Sequence, residues 1–269
     1  MKLTDVRFRR KGPPTDSICQ QNDGVLEQML KGFEDEPFAA LRRKWSEVPA
    51  GDERLSTVTI SQMATDELTE LWQKVRHDAT TGKNFDVRGW YHILYKDILR
   101  GKRVMDVGCG LGIDGITFAN AGAHMTFVDI VEHNLEVVQR ICHKLGLTNI
   151  DFCYLNDLSA LDQLGTDYDV IWCQGSLINA PFSLMREESQ KLLRHLRIGG
   201  RWIELAYPKA RWEREGRLPF HQWGERTDGP GTPWVEWYDL PKLLQRLAPT
   251  TFDVVLELEF HDSGDLATR

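Results

Sequence analysis

The run Arg103-Val104-Met105-Asp106-Val107-Gly108-Cys109-Gly110-Leu111-Gly112 constrains this chain more than any other feature it has. An apolar, strand-like stretch ends near an acid and passes through glycines at alternate positions into Ile113 to Ala121, whose apolar spacing predicts a helix. The glycines permit positive φ and a close approach of the backbone to a ligand, and the first N–H groups of the helix have no intrahelical acceptors. A strand, a glycine loop and a helix in that order predict an α/β fold with a nucleotide-like cofactor on the loop.

Two cofactor classes fit the glycines. Gly110, Gly112 and Gly115 satisfy the dinucleotide pattern G-x-G-x-x-G, and Asp129 stands near the distance expected of a ribose-binding acid. The pattern alone leaves both open. Asp106 separates them, because a carboxylate two positions before the first glycine repels a pyrophosphate but suits a cofactor carrying an ammonium and a sulfonium. S-adenosylmethionine is therefore favoured over NAD.

With these residues the sequence resembles the class I S-adenosylmethionine-dependent methyltransferases, whose first motif ends a strand with an acid followed by G-x-G-x-G. Downstream, 123–129 is similar to the second strand with its ribose acid Asp129, and 150–158 to the third strand with its adenine acid Asp157. Residues 168–174 are similar to the fourth strand, and 193–204 to the helix, Gly-Gly turn and fifth strand that follow. The resemblance implies a Rossmann-like, doubly wound, mostly parallel sheet with helices on both faces. It implies cofactor contacts at Asp106, Gly108, Cys109, Gly110, Gly112, Asp129, Ile130, Asp157, Leu158 and Gln174, with Leu158 offering a backbone N–H to the adenine. The family normally adds a two-strand hairpin after the last helix, yet only nine residues follow Phe260. Either the sheet lacks its last strand, a strand lies inside the insert described below, or the sequence has been cut short.

A chain of 269 residues accommodates one large domain with an addition. No apolar run approaches membrane-spanning length, and the basic start, Arg7 to Lys11, has no apolar stretch behind it, so a cytoplasmic protein is expected. That basic segment reads as a solvated, partly mobile terminus. A net charge of −7 disfavours DNA or RNA as a partner. The five cysteines form no C-x-x-C pair and read as reduced thiols. No spacing of His, Cys, Asp or Glu suggests a metal site.

The organisation expected is an N-terminal arm and helical cap over 1–82, followed by the cofactor domain over 83–269. Helical spacing covers Gly24 to Trp45, interrupted at Pro37, and Asp66 to His77. In this cap Trp45 and Trp72 either line a substrate cavity or are packing residues. A helix over Gly89 to Leu99 leads into the glycine-loop strand. Arg88 ahead of it is placed to pair with the cofactor carboxylate, and Tyr91 to face the methionine portion or the substrate.

Arg201 to Ala206 reads as a strand, Tyr238 to Leu247 as a helix and Phe252 to Phe260 as a strand. Between them Pro208 to Trp237 is rich in aromatic and basic residues and broken by Gly229-Pro230-Gly231-Thr232-Pro233. A long insert at the carboxyl end of a parallel sheet is where substrate contacts concentrate, so 208–237 is expected to be a substrate wall or lid that moves on binding. Trp223 and Trp237 are candidate acceptor contacts there, and His221, beside Phe220, is the candidate general base.

Asn179-Ala180-Pro181-Phe182 departs from the N-P-P-Y motif of amino-methylating nucleic-acid enzymes, which leaves Asn179 as a contact for a small substrate. The expected activity is methyl transfer to an oxygen or nitrogen of a small metabolite, natural-product-like or sugar-like. The alternatives are methylation of a protein or RNA, and a non-catalytic binding subunit. The expected partners are the small-molecule acceptor and, through the amino-terminal segment, a second copy of the chain.

Overall fold

The structure, a computed structural model, describes residues 2–10, 37–50, 53–81 and 89–261. The strands, mostly parallel, fall into two compact units, one built from Trp45–Asn156 and the other from Asp157–Phe260 with the amino-terminal strand and first helix. The architecture is the expected Rossmann-like α/β class.

In the first unit β4 (Arg103–Val107), β5 (His124–Asp129) and β6 (Ile150–Tyr154) lie parallel in the order β6-β5-β4. The strands bury nearly every residue of 104–107 and 125–129, as near-continuous apolar runs covered by helices must. Helix α5 (Ile113–Asn120) follows β4, and α6 (Glu132–Lys144) follows β5. Earlier elements dock on this frame: the hairpin β2 (Glu47–Ala50) and β3 (Glu53–Ser56), then α2 (Thr57–Ser61), α3 (Thr65–Thr80) and α4 (Trp90–Tyr95). Arg140 of α6 holds the turn between α2 and α3, donating to the Ser61 carbonyl at 2.6 Å and the Met63 carbonyl at 2.5 Å. Trp72 of α3 is a packing residue, buried with the Arg76 guanidinium 5.8 Å from its ring. Of the helix expected over 24–45, α1 (Pro37–Trp45) is described, and the rest lies outside the described residues. Its start at Pro37 follows from the fixed φ of proline, which suits a first helical position.

In the second unit the order is β7-β8-β1-β9, with β7 (Tyr168–Gln174) and β8 (Leu196–Ala206) parallel. Strand β1 (Lys2–Arg10) runs antiparallel to β8, with Val6 opposite Glu204 and Phe8 opposite Trp202, and lies between β8 and β9 (Phe252–His261). This corrects two expectations. The basic start is, over Lys2–Arg10, a sheet strand and not a loose terminus, and the antiparallel strand beside β9 is this amino-terminal one rather than the partner strand of a hairpin. The compact units group β1 and α1 with 157–260. With both of its edges taken, β1 offers no free edge for a second copy of the chain to add a strand.

Besides α1, the described helices of this unit are α7 (Phe182–His195), α8 (Lys209–Arg214), α9 (Phe220–Asp228) and α10 (Leu240–Leu247), with a 3₁₀ turn over Leu158–Gln163. Helices α8 and α9 lie inside the expected insert, which is packed rather than open: Trp223, Thr232 and Val235 are fully buried. A buried charge cluster joins β8, α7 and α10. Arg246 donates to Glu204 and to the Leu177 carbonyl, and Trp202 donates to the same Glu204 oxygen at 2.8 Å. Glu188, facing the same guanidinium as Glu204, is pushed up to about 7, by burial first and the Glu204 charge second, against the opposing pull of Arg246.

Candidate active site

The glycine loop is built on backbone strain that only glycine tolerates. Gly108, Gly110 and Gly112 take φ of 71°, 53° and 66°, in the left-handed region. A Cβ at Gly110 would meet nothing within 4 Å, so the loop borders open space there, whereas one at Gly112 would meet Ile116 and Val138 at 3.0 Å. Gly115, the third glycine of the alternative pattern, serves packing. A Cβ there would fall 2.3 Å from the Phe127 ring and 2.6 Å from Asp106 Oδ2, so the bare backbone lets α5 lie on β5 and on the Asp106 carboxylate. Asp106 is buried against that first turn.

Asp129, at the end of β5, clamps the loop. Its Oδ2 accepts the Gly110 N–H at 2.9 Å, while Oδ1 accepts the Val131 N–H at 2.8 Å and the Asn134 side-chain amide at 3.2 Å. A carboxylate has about four acceptor positions; three are filled by these donors, and the fourth is held only by the weak Cys109 thiol contact at 3.8 Å, which a ligand hydroxyl can displace. Burial raises the Asp129 pKa against the opposing effect of its N–H donors. The Cys109 thiol is driven well up by burial, then by the charges of Asp129 and Asp106, and so holds its proton rather than acting as a thiolate. Ile130, next in the chain, is half-buried. The clamp extends outward: Asn134 Oδ1 accepts the Thr57 hydroxyl at 2.9 Å, which ties α2 to the acid.

Beside the loop lies a cluster that the sequence did not advertise. Asp114, in the first turn of α5, is buried with His92 Nε2 at 2.5 Å and the Tyr91 hydroxyl at 3.5 Å, and the His92 ring meets Phe118 edge-on. Tyr91 was expected to face the methionine portion or the substrate. It is 2% exposed with its hydroxyl turned to Asp114, so it serves here as a buried partner of the helix. The one sequence signal for this cluster is an acid inside the otherwise apolar run Ile113 to Ala119. Arg88 lies outside the described residues.

In the second unit Asp157 is exposed and caps the 3₁₀ turn, accepting the Ser159 N–H on Oδ1 at 2.7 Å, and hydrogen bonds from Ser159 hold its carboxyl below the usual range. Leu158 is buried, its carbonyl accepting from Lys191 at 3.2 Å. Gln174 ends β7, half-buried. Asn179 is buried in the loop after β7, donating to the Gly175 and Ser176 carbonyls at 3.1 and 3.4 Å. Its Oδ1 and the Ser176 hydroxyl have no hydrogen-bond partner among the described residues.

The insert divides the remaining candidates. Trp223 is a correction: it is wholly buried, its indole N–H donated to Glu215 at 2.8 Å and its ring edge-on to Tyr207, leaving no face for a ligand. Trp237 is half-buried and stands in a ring cluster, 5.9 Å from Trp212, which is 5.8 Å from Phe220, itself 5.4 Å from Trp234. Lys242 of α10 enters this cluster with Nζ 3.9 Å from the Trp237 centroid and 2.6 Å from Glu236. Burial lowers the Lys242 pKa while Glu236 opposes the shift. His221 is exposed near the start of α9, next to Phe220.

Residues 104–200 match a family model described as a methyltransferase domain. The match to that family spans 97 of the 269 residues. The chain is similar to the ubiquinone biosynthesis O-methyltransferase of Aromatoleum aromaticum, 34% identical over 83 residues, covering 31% of this chain and 35% of that protein. The enzyme of the same name from Bordetella parapertussis is 38% identical over 85 residues, covering 31% and 34%. The chain thus matches about a third of the length of these relatives. Among solved structures, the magnesium protoporphyrin IX methyltransferase of Synechocystis, with bound SAH, aligns at a TM-score of 0.41 and 22% identity over 84% of this chain and 87% of that one. No described helix is long and apolar enough to cross a membrane. No group of three or more His, Cys, Asp or Glu among the described residues could hold a metal ion.

Proposed function

We propose that the chain transfers the methyl group of S-adenosylmethionine to an oxygen or nitrogen of a small metabolite. The observation that carries this reading is the clamp of Asp129 on the Gly110 N–H, beside a loop left open at Gly110, with one carboxylate acceptor position held only by a weak thiol contact that a ribose hydroxyl can replace. When bound, that cofactor supplies an electrophilic methyl carbon. The protein's own part is alignment of the acceptor and exclusion of water.

In this proposal Gly108, Cys109, Gly110 and Gly112 present backbone to the cofactor, Asp106 fixes the loop from beneath, and Asp129 with Ile130 receives the ribose. Asp157 and the Leu158 N–H receive the adenine, and Gln174 and Arg88 complete the set. Asn179 and Trp237 contact the acceptor, and His221 takes its proton. The name shared by the relatives favours an oxygen acceptor of low molecular weight.

Thermal unfolding with added ligand tests the reading. S-adenosylmethionine and its demethylated product raise the melting temperature by mass action while NAD does not, and stabilisation by NAD alone would overturn it. Asp129→Asn weakens cofactor binding by about 1.5–3 kcal/mol while keeping the side chain's size. His221→Ala lowers kcat by about 10²–10⁴ with cofactor affinity unchanged if the imidazole is the base. Unaltered kcat and KM remove that role.

A further inference from the structure

The second unit carries a half-buried aromatic surface at the carboxyl ends of β7 and β8. The Glu236 N–H donates to the Ile178 carbonyl in the loop after β7 at 2.8 Å, and the Tyr238 N–H donates to the Tyr207 carbonyl just after β8 at 2.8 Å. Residues 235–238 are therefore pinned across both strand ends, where ligands bind in α/β sheets. Trp212, Phe220, Trp234 and Trp237 each keep part of their surface exposed. The neighbouring core rings Trp172, Trp202 and Trp223 keep essentially none.

The charges on this surface are unevenly satisfied. Lys242 lies 5.4 Å from the Phe220 centroid as well as 3.9 Å from that of Trp237, and its ammonium is neutralised by Glu236. Lys209 stands 5.1 Å from the same Trp237 ring, exposed, with no carboxylate partner among the described residues. The Trp237 indole N–H, too, has no acceptor among them. An incoming ammonium would have to compete with Lys242 for the rings and for Glu236. An incoming anion adds to the unpaired Lys209, while a flat ring attached to it gains the indole face.

We infer that this surface is the acceptor site and that it takes a planar aromatic acid, with its ring on Trp237 and its carboxylate or phenolate received by Lys209. The inference rests on the methyl-transfer reading and names the acceptor class for it. The selectivity resides in Lys209 and Trp237, while Lys242 and Glu236 hold the cluster in shape as a neutral pair.

Titration calorimetry on the full chain saturated with S-adenosylhomocysteine tests it, using 2-naphthoate, 2-naphthalenemethanol and 2-naphthylmethylammonium as probes of one ring and three charges. Naphthoate is expected to bind at least about tenfold more tightly than the alcohol, with the ammonium weakest. Lys209→Gln, at an exposed position where folding is not at stake, reduces naphthoate to the level of the alcohol and leaves the alcohol unchanged. Trp237→Leu weakens naphthoate and the alcohol together. Equal affinity for the three probes, a preference for the ammonium, or naphthoate binding indifferent to Lys209→Gln would overturn the inference. The thermal shift given by S-adenosylhomocysteine, recorded on the same samples, separates the two readings. If it is present while the probe order fails, the acceptor class alone is wrong; if it is absent, the methyl-transfer reading falls with it.

Discussion

The glycine loop over 106–115 and the aromatic surface made by the insert 208–237 with α10 are built in opposite ways. The loop is made of backbone: three left-handed glycines, an N–H held by Asp129, and a helix brought onto β5 because Gly115 has no side chain. The insert is made of side chains: rings packed on rings, an indole N–H donated to Glu215, and a lysine among aromatics. A backbone-built surface tolerates almost no substitution at its few special positions, because nothing there can repack. A side-chain surface spreads its energy over many contacts and yields more gradually.

Glycine substitutions probe that contrast directly. Gly115→Ala drives a methyl group into Phe127 and Asp106, and we expect a loss of about 3 kcal/mol in urea unfolding together with the loss of cofactor-induced stabilisation. A loss under about 1 kcal/mol would show that α5 can shift on β5 and that the loop is less rigid than its geometry implies.

The charge cluster beneath the insert gives the next effect. The folded-state pKa of Glu188, about 7, lies above its ordinary value of 4.5. Stability is therefore fully present below about pH 4.5 and declines as pH rises through 7, by about 3 kcal/mol in all. Glu188→Gln is expected to flatten unfolding free energies measured between pH 5 and 8 and to exceed the parent at pH 8. A parallel pH profile for the two proteins would mean that Glu188 is ionised in the fold.

Smaller effects are expected inside the insert. Trp223→Phe removes the bond to Glu215 while keeping the ring buried, a change of about 1 kcal/mol in stability. Gly224→Ala places a Cβ 3.1 Å from the Thr232 methyl and 3.2 Å from the Thr232 and Trp234 backbone, and we expect less than about 1 kcal/mol. If Gly224→Ala proved as damaging as Gly115→Ala, the contrast between the two surfaces would collapse.

The sequence by itself determined the strand, loop and helix at 103–120, Asp129 at the end of the next strand, and hence the domain class. Each of these follows from chirality, glycine conformation and apolar periodicity within a few consecutive residues. Only the tertiary structure decided where Lys2–Arg10 belongs, because a single strand carries no mark of its partner, and pairing with Arg201–Ala206 joins residues 192 to 202 positions apart. It also decided which tryptophans are core and which are surface. Trp223 and Trp237 look alike in sequence, and only the packing of the insert buries the first and leaves the second half-buried. His92 with Asp114 and Lys242 with Glu236 became visible only in the fold for the same physical reason: a buried charge needs a partner, and that partner is chosen by proximity in space.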